Sequence, residues 1–339
     1  MPNILITGGL GFIGSHIALE LLRDNFNVHI IDNLSNSEKS TSKLINKLSG
    51  KKVFFTCGDI NDNKLLNSFF SNNKIDCVIH CAGFKSVRES ISYPCEYYQN
   101  NISSTLGLLT SMKQHKIKKL IFSSSATIYD HAQKMPLNEK SKIYGGTNPY
   151  ARTKMMIEQI FKDIYISDPK WSYIILRYFN PTGNDSSCLL GENPISVPNN
   201  LMPLINKAAF NLSKLTIFGD DYDTIDGTAV RDYVHVSDLA MAHVNSVKKI
   251  LNTNPDFKIY NLGLGKGHSV LQVLKTYEKV NKIKINYNIG KRRIGDIDLS
   301  YTDNKLAKNE LNWQPKYNLD DICLHSYEWM KNKIKSKKK

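Results

Sequence analysis

An apolar strand that breaks into glycines and restarts as a helix constrains this chain more than any other feature. In Asn3-Ile-Leu-Ile-Thr-Gly-Gly-Leu-Gly-Phe-Ile-Gly14, Ile4, Leu5 and Ile6 read as a strand buried on both faces. Gly8, Gly9, Gly11 and Gly14 then let the backbone turn tightly and approach a ligand. The following helix, from Phe12 to about Arg23, turns its N-terminal N–H groups and positive dipole end toward that turn, which suits a pyrophosphate. Glycine spacing alone is weak, but here it follows a strand, opens a helix and precedes a second strand, Asn27 to Asp32, that ends in an acid. Asp32 lies 18 residues past Gly14, where a carboxylate accepts from both ribose hydroxyls and repels a 2'-phosphate. The expected cofactor is NAD, not NADP.

The alternation continues through a strand at Lys52 to Cys57, a helix at Asp62 to Asn73 and a strand at Asp76 to Cys81. A long helical pattern from Pro94 to His115 follows, then the strand Lys118 to Ser124, a helix opening at Asn148-Pro149, and the strand Tyr173 to Tyr178. Such a βα series predicts an α/β fold with a Rossmann-type doubly wound parallel sheet. From Asn180 the texture turns to Gly, Pro, Asn and short elements, which predicts a smaller mixed α/β lobe. The expected division is 1–179 and 180–339, discontinuous, with segments near 237–262 returning to the first domain.

A 339-residue chain that is 41% apolar is ample for a buried core. No run of about 18 apolar residues suggests a membrane span, and the glycine turn comes too early for a signal peptide, so a cytoplasmic protein is expected. The six cysteines form no C-x-x-C pair and no metal-ligand spacing, so no metal is expected. A net charge of +14 invites a nucleic-acid reading, but only Lys331 to Lys339 is a basic run, and a solvated tail explains it.

Strand ends of such a sheet face the cofactor, which gives Ser123, Ser124 and Ser125 a privileged place. Tyr150 and Lys154, four apart on the next helix, share a face, and an ammonium beside a phenol favours the phenolate. Four Tyr-x-x-x-Lys matches occur, at Tyr150, Tyr287, Tyr301 and Tyr327, and only the first follows a serine-ended strand and opens a helix behind a proline. Tyr150 is therefore the candidate general base, with Ser125 and Lys154 beside it.

Together with Arg177-Tyr-Phe-Asn-Pro181, Pro198-Asn-Asn-Leu-Met-Pro203 and Arg231-Asp-Tyr-Val-His235, these motifs resemble the extended short-chain dehydrogenase/reductase family, and within it the UDP-glucose (UDP-galactose) 4-epimerase family. The similarity runs from Asn3 to about Trp329. It implies an isomerase that holds NAD, draws a hydride from carbon 4 of a UDP-hexose while Tyr150 removes the hydroxyl proton, and returns the hydride to the other face of a 4-keto sugar. It implies cofactor contacts at Gly8, Gly11, Phe12, Ile13, Gly14, Asp32, Asn33, Asp59, Ile60, Cys81, Lys85, Asn100, Ser123, Tyr150, Lys154 and Tyr178. Substrate contacts are implied at Lys85, Ser125, Tyr150, Phe179, Asn180, Asn200, Leu201, Thr216, Phe218, Arg231, Arg293, Asp296 and Ser300. The resemblance also implies a homodimer joined through the helices Pro94 to His115 and Pro149 to Ser167.

Three positions depart from the family pattern. Asp130 replaces a glycine, Arg88 replaces a smaller residue in the Lys85 loop, and Ser300 stands where a tyrosine restricts the sugar pocket. A serine there predicts acceptance of UDP-GlcNAc and UDP-GalNAc, unless a one-residue slip leaves Tyr301 as the gate. A dehydratase would need an added acid after Ser125, where Ala126 and Thr127 stand, and a reductase using NADP is disfavoured by Asp32. A non-catalytic NAD-sensing protein would have no reason to keep Ser125, Tyr150 and Lys154 together.

Overall fold

The structure, a computed structural model, describes residues 1–130, 133–143, 146, 148–194, 200–293 and 296–337. Pro198 and Asn199 of the proline-bounded motif, Gly295, and Lys338 and Lys339 of the tail lie outside the described residues.

The first half of the chain supplies β1 (Asn3–Thr7), β2 (Asn27–Asp32), β3 (Phe54–Cys57), β4 (Cys77–His80), β5 (Lys119–Ser125) and β6 (Ser172–Tyr178). The second half adds β7 (Asn180–Thr182), β8 (Leu215–Phe218), β9 (Val230–Arg231), β10 (Tyr233–His235), β11 (Phe257–Leu262), β12 (His268–Ser269), β13 (Tyr287–Gly290) and β14 (Leu299–Ser300). Seven strands make one parallel sheet in the order β11-β6-β5-β4-β1-β2-β3. The period-2 geometry of a strand sorts β1 between two cores. Ile4 and Ile6 face a cluster with Ile17, Leu21, Leu239 and Val244, whereas Leu5 faces one with Leu66, Leu108, Ile157 and Phe161. Each such fully buried aliphatic side chain stabilises the fold by about 1.5–3 kcal/mol.

The strand order reverses at β1, with β2 on one side and β4 on the other. The crevice beyond the carboxyl ends of β1 and β4 is thus the position where such a sheet binds a ligand. Into it run the glycine turn after β1 and the Cys81–Lys85 segment after β4.

The helix expected over Pro94 to His115 consists of Pro94–Tyr98, a π turn at Gln99–Ser103, and Ser104–Gln114. The extra residue of the π turn releases carbonyls, and hydroxyls one turn later take them: Ser104 Oγ donates to Asn100 O at 2.5 Å and Thr105 Oγ1 to Asn101 O at 2.6 Å. Alternation had given no sign of it, because the apolar stripe survives on both sides.

The later chain builds the pairs β7–β10 and β8–β13 and a three-stranded sheet in the order β12-β9-β14, with a separate core of Met202, Ile205, Leu215, Ile217, Val273, Tyr277 and Ile322. The helix Val236–Asn252 and β11 leave this lobe to pack on Phe12–Arg23 and on β6. Asp232 ties the parts together. Its fully buried carboxylate accepts from the backbone N–H groups of Leu264 (2.6 Å), Gly265 (3.0 Å) and Thr302 (3.2 Å), and a Cβ at Gly263 would lie 2.5 Å from its Oδ2.

Candidate active site

At the glycine turn, Gly8 takes a left-handed φ of +68°, and a Cβ there would lie 2.9 Å from the Ala82 backbone. A Cβ at Gly14 would lie 2.3 Å from Gly8 O, so these two glycines are required by the protein itself. Gly11 differs. A Cβ there would meet no protein atom nearer than 3.4 Å, so what its missing side chain opens is an approach to the helix start at Phe12 and Ile13. That is the cradle a pyrophosphate needs, and the residues fit a dinucleotide. Asp32, buried at the end of β2, accepts from Leu10 N (3.0 Å), Leu34 N (2.9 Å) and Ser37 Oγ (2.7 Å), which fixes its carboxylate beside the turn.

Asn33 and Asp59 are brought together, Asn33 Nδ2 donating to Asp59 at 2.8 Å. Partial burial pushes the Asp59 carboxyl up, but hydrogen bonds from Asn61 and Asn33 outweigh it and leave the pKa below the ordinary value. Ile60 follows, buried. Asn100 lies on the π turn and donates to Asn101 Oδ1 at 3.0 Å. Asn101, which carries no motif in the sequence, does more: its amide bonds Phe84 N (2.8 Å), Phe84 O (3.1 Å) and Thr153 Oγ1 (3.1 Å). It thereby fastens the Lys85 segment to the helix that bears Tyr150.

That helix, Pro149–Ser167, starts where Asn148 caps it by accepting from Ala151 N at 3.0 Å, with Pro149 in its first turn. The cap sets Tyr150 at the mouth and Lys154 one turn deeper. Lys154 is buried, 2.7 Å from Ser123 O, with its Nζ 4.6 Å from the Phe122 ring centre and 5.9 Å from that of Tyr150. Burial holds its ammonium down to about pKa 8. The neighbouring Ser125 hydroxyl favours the Tyr150 phenolate, yet burial is the larger effect and raises its pKa. The sequence reading has Lys154 lowering the Tyr150 pKa; within the protein alone, desolvation wins for both groups.

Ser125 ends β5 opposite Tyr178 on β6. Its Oγ accepts from Thr127 N (3.3 Å) and Thr127 Oγ1 (3.0 Å), which leaves its own hydrogen to donate into the site. Ser123, two residues earlier on the same face, lies 3.0 Å from Cys81 Sγ and 2.8 Å from Tyr178 Oη. Phe179 packs with Ala126, Tyr129 and Leu137 beside them. Beneath the trio runs a buried ion pair, Arg177 to Glu158 at 2.6 Å, with Ser124 Oγ donating to Glu158 at 2.5 Å.

The smaller lobe supplies the remaining candidates. Thr216 and Phe218 share the outer face of β8, and the Arg293 guanidinium lies 4.1 Å from the Phe218 ring centre. Arg231 donates to Val230 O (2.9 Å) and Ile297 O (2.8 Å) and lies 3.7 Å from Asp296. Ser300, buried, pairs in register with Arg231. A Cβ at Gly267 would lie 3.4 Å from the Tyr301 ring, so Tyr301 turns to Gly267. Asn180 donates its N–H to Asp232 O at 2.9 Å. Asn200 precedes the helix that Leu201 opens, and Glu192, unnoticed in the sequence, accepts from Asn200 Nδ2 (2.8 Å) and lies 3.5 Å from Lys85 Nζ. No group of His, Cys, Asp and Glu suited to a metal occurs among the described residues.

A family profile described as GDP-mannose 4,6 dehydratase matches residues 5–325. The UDP-glucose 4-epimerase of Pasteurella multocida (strain Pm70) is 46% identical over 333 residues, 98% of this chain and 98% of that protein. The chain belongs to the UDP-glucose 4-epimerase family. Among solved structures, the UDP-glucose 4-epimerase from Bifidobacterium longum in complex with NAD+ and UDP superposes with a TM-score of 0.94 at 45% identity, covering 97% of this chain and 98% of that one. That from Stenotrophomonas maltophila, with bound NAD and formylated UDP-arabinopyranose, gives 0.96 at 38% identity, covering 99% and 100%. This epimerase-family chain thus carries a Ser125, Tyr150 and Lys154 constellation on a fold shared over its whole length.

Proposed function

We propose that the chain is an NAD-dependent UDP-hexose 4-epimerase that interconverts UDP-glucose and UDP-galactose. The observation that carries this is the convergence of Ser125, Tyr150 and Lys154 at the carboxyl ends of β5 and β6, next to a glycine turn built for a pyrophosphate. NAD, when bound, accepts a hydride from carbon 4 of the sugar and returns it. Tyr150 takes the 4-hydroxyl proton and later gives it back. Ser125 donates to the reacting oxygen, its own oxygen being held by Thr127. Lys154, anchored on Ser123, supplies the positive charge that a phenolate needs in a site from which substrate excludes water.

Arg231 and Arg293 suit the diphosphate, Phe218 and Thr216 the uracil, and Asp296 the ribose; Lys85, Phe179, Asn180, Asn200 and Leu201 line the sugar and phosphate path. The cofactor lobe comprises 1–179 with segments near 237–262. The register that buries Ser300 beside Arg231 and turns Tyr301 toward Gly267 supports Ser300 as the residue facing the sugar. We infer that the pocket accepts N-acetyl sugars as well. Exposed Leu106 and Met156 on the helices Ser104–Gln114 and Pro149–Ser167 support a homodimer through that face. No helix among the described residues is long and apolar enough to cross a membrane, and a cytoplasmic role in galactose metabolism fits this reading.

An NMR time course with UDP-Gal and UDP-GalNAc offered separately, without added cofactor, tests both levels. Both should reach a 4-epimer mixture. Turnover of UDP-Gal alone removes the Ser300 reading, and turnover of neither removes the epimerase reading.

A further inference from the structure

Behind the catalytic trio, Cys81, Ser123, Tyr178 and His243 form one hydrogen-bonded line, with spacings of 3.0, 2.8 and 2.6 Å. Its far end has a fixed direction. His243 stands on the helix Val236–Asn252 with Nδ1 2.9 Å from Leu239 O, one turn earlier. A carbonyl oxygen only accepts, so Nδ1 carries the proton. Complete burial holds the imidazole down to about pKa 4, so the ring is neutral at pH 7 and Nε2 offers only a lone pair.

The single Tyr178 hydroxyl proton then points to His243. Its oxygen is left to accept from the Ser123 hydroxyl, and Ser123 accepts in turn from the Cys81 thiol, which burial keeps protonated up to about pKa 11. One imidazole therefore orders three groups. Tyr178 has no hydrogen left for the site, and burial raises its pKa well above 10, so it does not compete with Tyr150 as a base.

We propose that His243, to which neither the family motifs nor the site residues above give a role, is a positioning residue for the epimerase reaction. By fixing the direction of this line it orients the Tyr178 phenol and pins Ser123, whose carbonyl holds the Lys154 ammonium at 2.7 Å. The proposal rests on the epimerase reading for its kinetic consequence and on geometry alone for the tautomer.

The test combines two readouts on the protein as purified. Nitrogen-15 NMR of histidine should find His243 neutral and protonated on Nδ1 from pH 5.5 to 8; protonation on Nε2, or an imidazolium at pH 6, overturns the proposal. In kinetics, His243→Phe should lower kcat about tenfold and leave KM for the UDP-sugar within about twofold, the size of one lost hydrogen bond. His243→Gln, whose amide oxygen can accept, should restore most of it, and the His243→Phe loss should vanish in a Tyr178→Phe background. A loss that persists in that background, or no rescue by glutamine, marks His243 as packing alone. If the unaltered protein turns over no UDP-hexose, the epimerase reading fails while the tautomer still decides the line.

Discussion

The Lys154 ammonium donates to the carbonyl oxygen of Ser123 at 2.7 Å, with its charge 5.9 Å from the centre of the Tyr150 ring. The lysine is thus held by backbone, one helical turn from the phenol. Burial raises the Tyr150 pKa against the opposing effect of Ser125, and replacing Lys154 takes a cation from beside the ring. Lys154→Met should lower kcat at pH 7 by about 10²–10³-fold. Its residual rate should climb with pH beyond the point where the unaltered protein levels off. A full pH–rate profile of both proteins checks this; parallel profiles would contradict it.

Arg177 and Glu158 make a doubly bonded buried pair, at 2.6 and 3.2 Å, that joins β6 to the Tyr150 helix. Glu158→Gln leaves an uncompensated guanidinium in the core. It should cost about 3–5 kcal/mol of stability, read from urea unfolding. A change under 1 kcal/mol would contradict the arrangement.

Four buried imidazoles, His16, His80, His235 and His243, each with its pKa lowered by burial, predict acid lability. Burial lowers the pKa of His80 and His235 to about 3 and that of His243 to about 4, from 6.5. The unfolded chain binds protons at these sites before the folded one does, so their contribution is full above pH 6.5 and is lost as pH falls toward 4. Asp232 and Asp238 oppose this: burial raises both to about 6 from 3.8, so the stability they contribute is full below about pH 4 and is lost as pH rises through 6. The imidazole displacements are larger and more numerous. The urea midpoint should fall between pH 7 and pH 4.5, and a rise over that range would contradict this balance.

Ser300 sits in register with Arg231, with Tyr301 turned to Gly267. Ser300→Tyr should reduce kcat/KM for UDP-GalNAc by about a hundredfold and change that for UDP-Gal by less than about threefold. Equal losses on both sugars would place the gate elsewhere.

The parts legible in the sequence were those whose chemistry is local. Gly8 and Gly14 declare themselves because the backbone demands glycine there, and Asp32 after a strand and Tyr150 with Lys154 on one turn because their spacing along the chain is short and fixed. His243, Glu158, Asn101, Thr127 and Glu192 did not. Each acts through a partner distant in the chain or through an ordinary hydrogen bond, and only packing brings His243 within 2.6 Å of Tyr178 from 65 residues away. Against the expectation that Lys154 lowers the Tyr150 pKa stands desolvation, invisible in a sequence and the largest effect on both groups.

The central claim is that Tyr150 moves the proton while the hydride is borrowed and returned within one site. It is tested most directly by following UDP-galactose epimerisation by NMR with Tyr150→Phe as purified. The predicted result is a rate lowered by about 10²–10⁴-fold; epimerisation at the undiminished rate would contradict it.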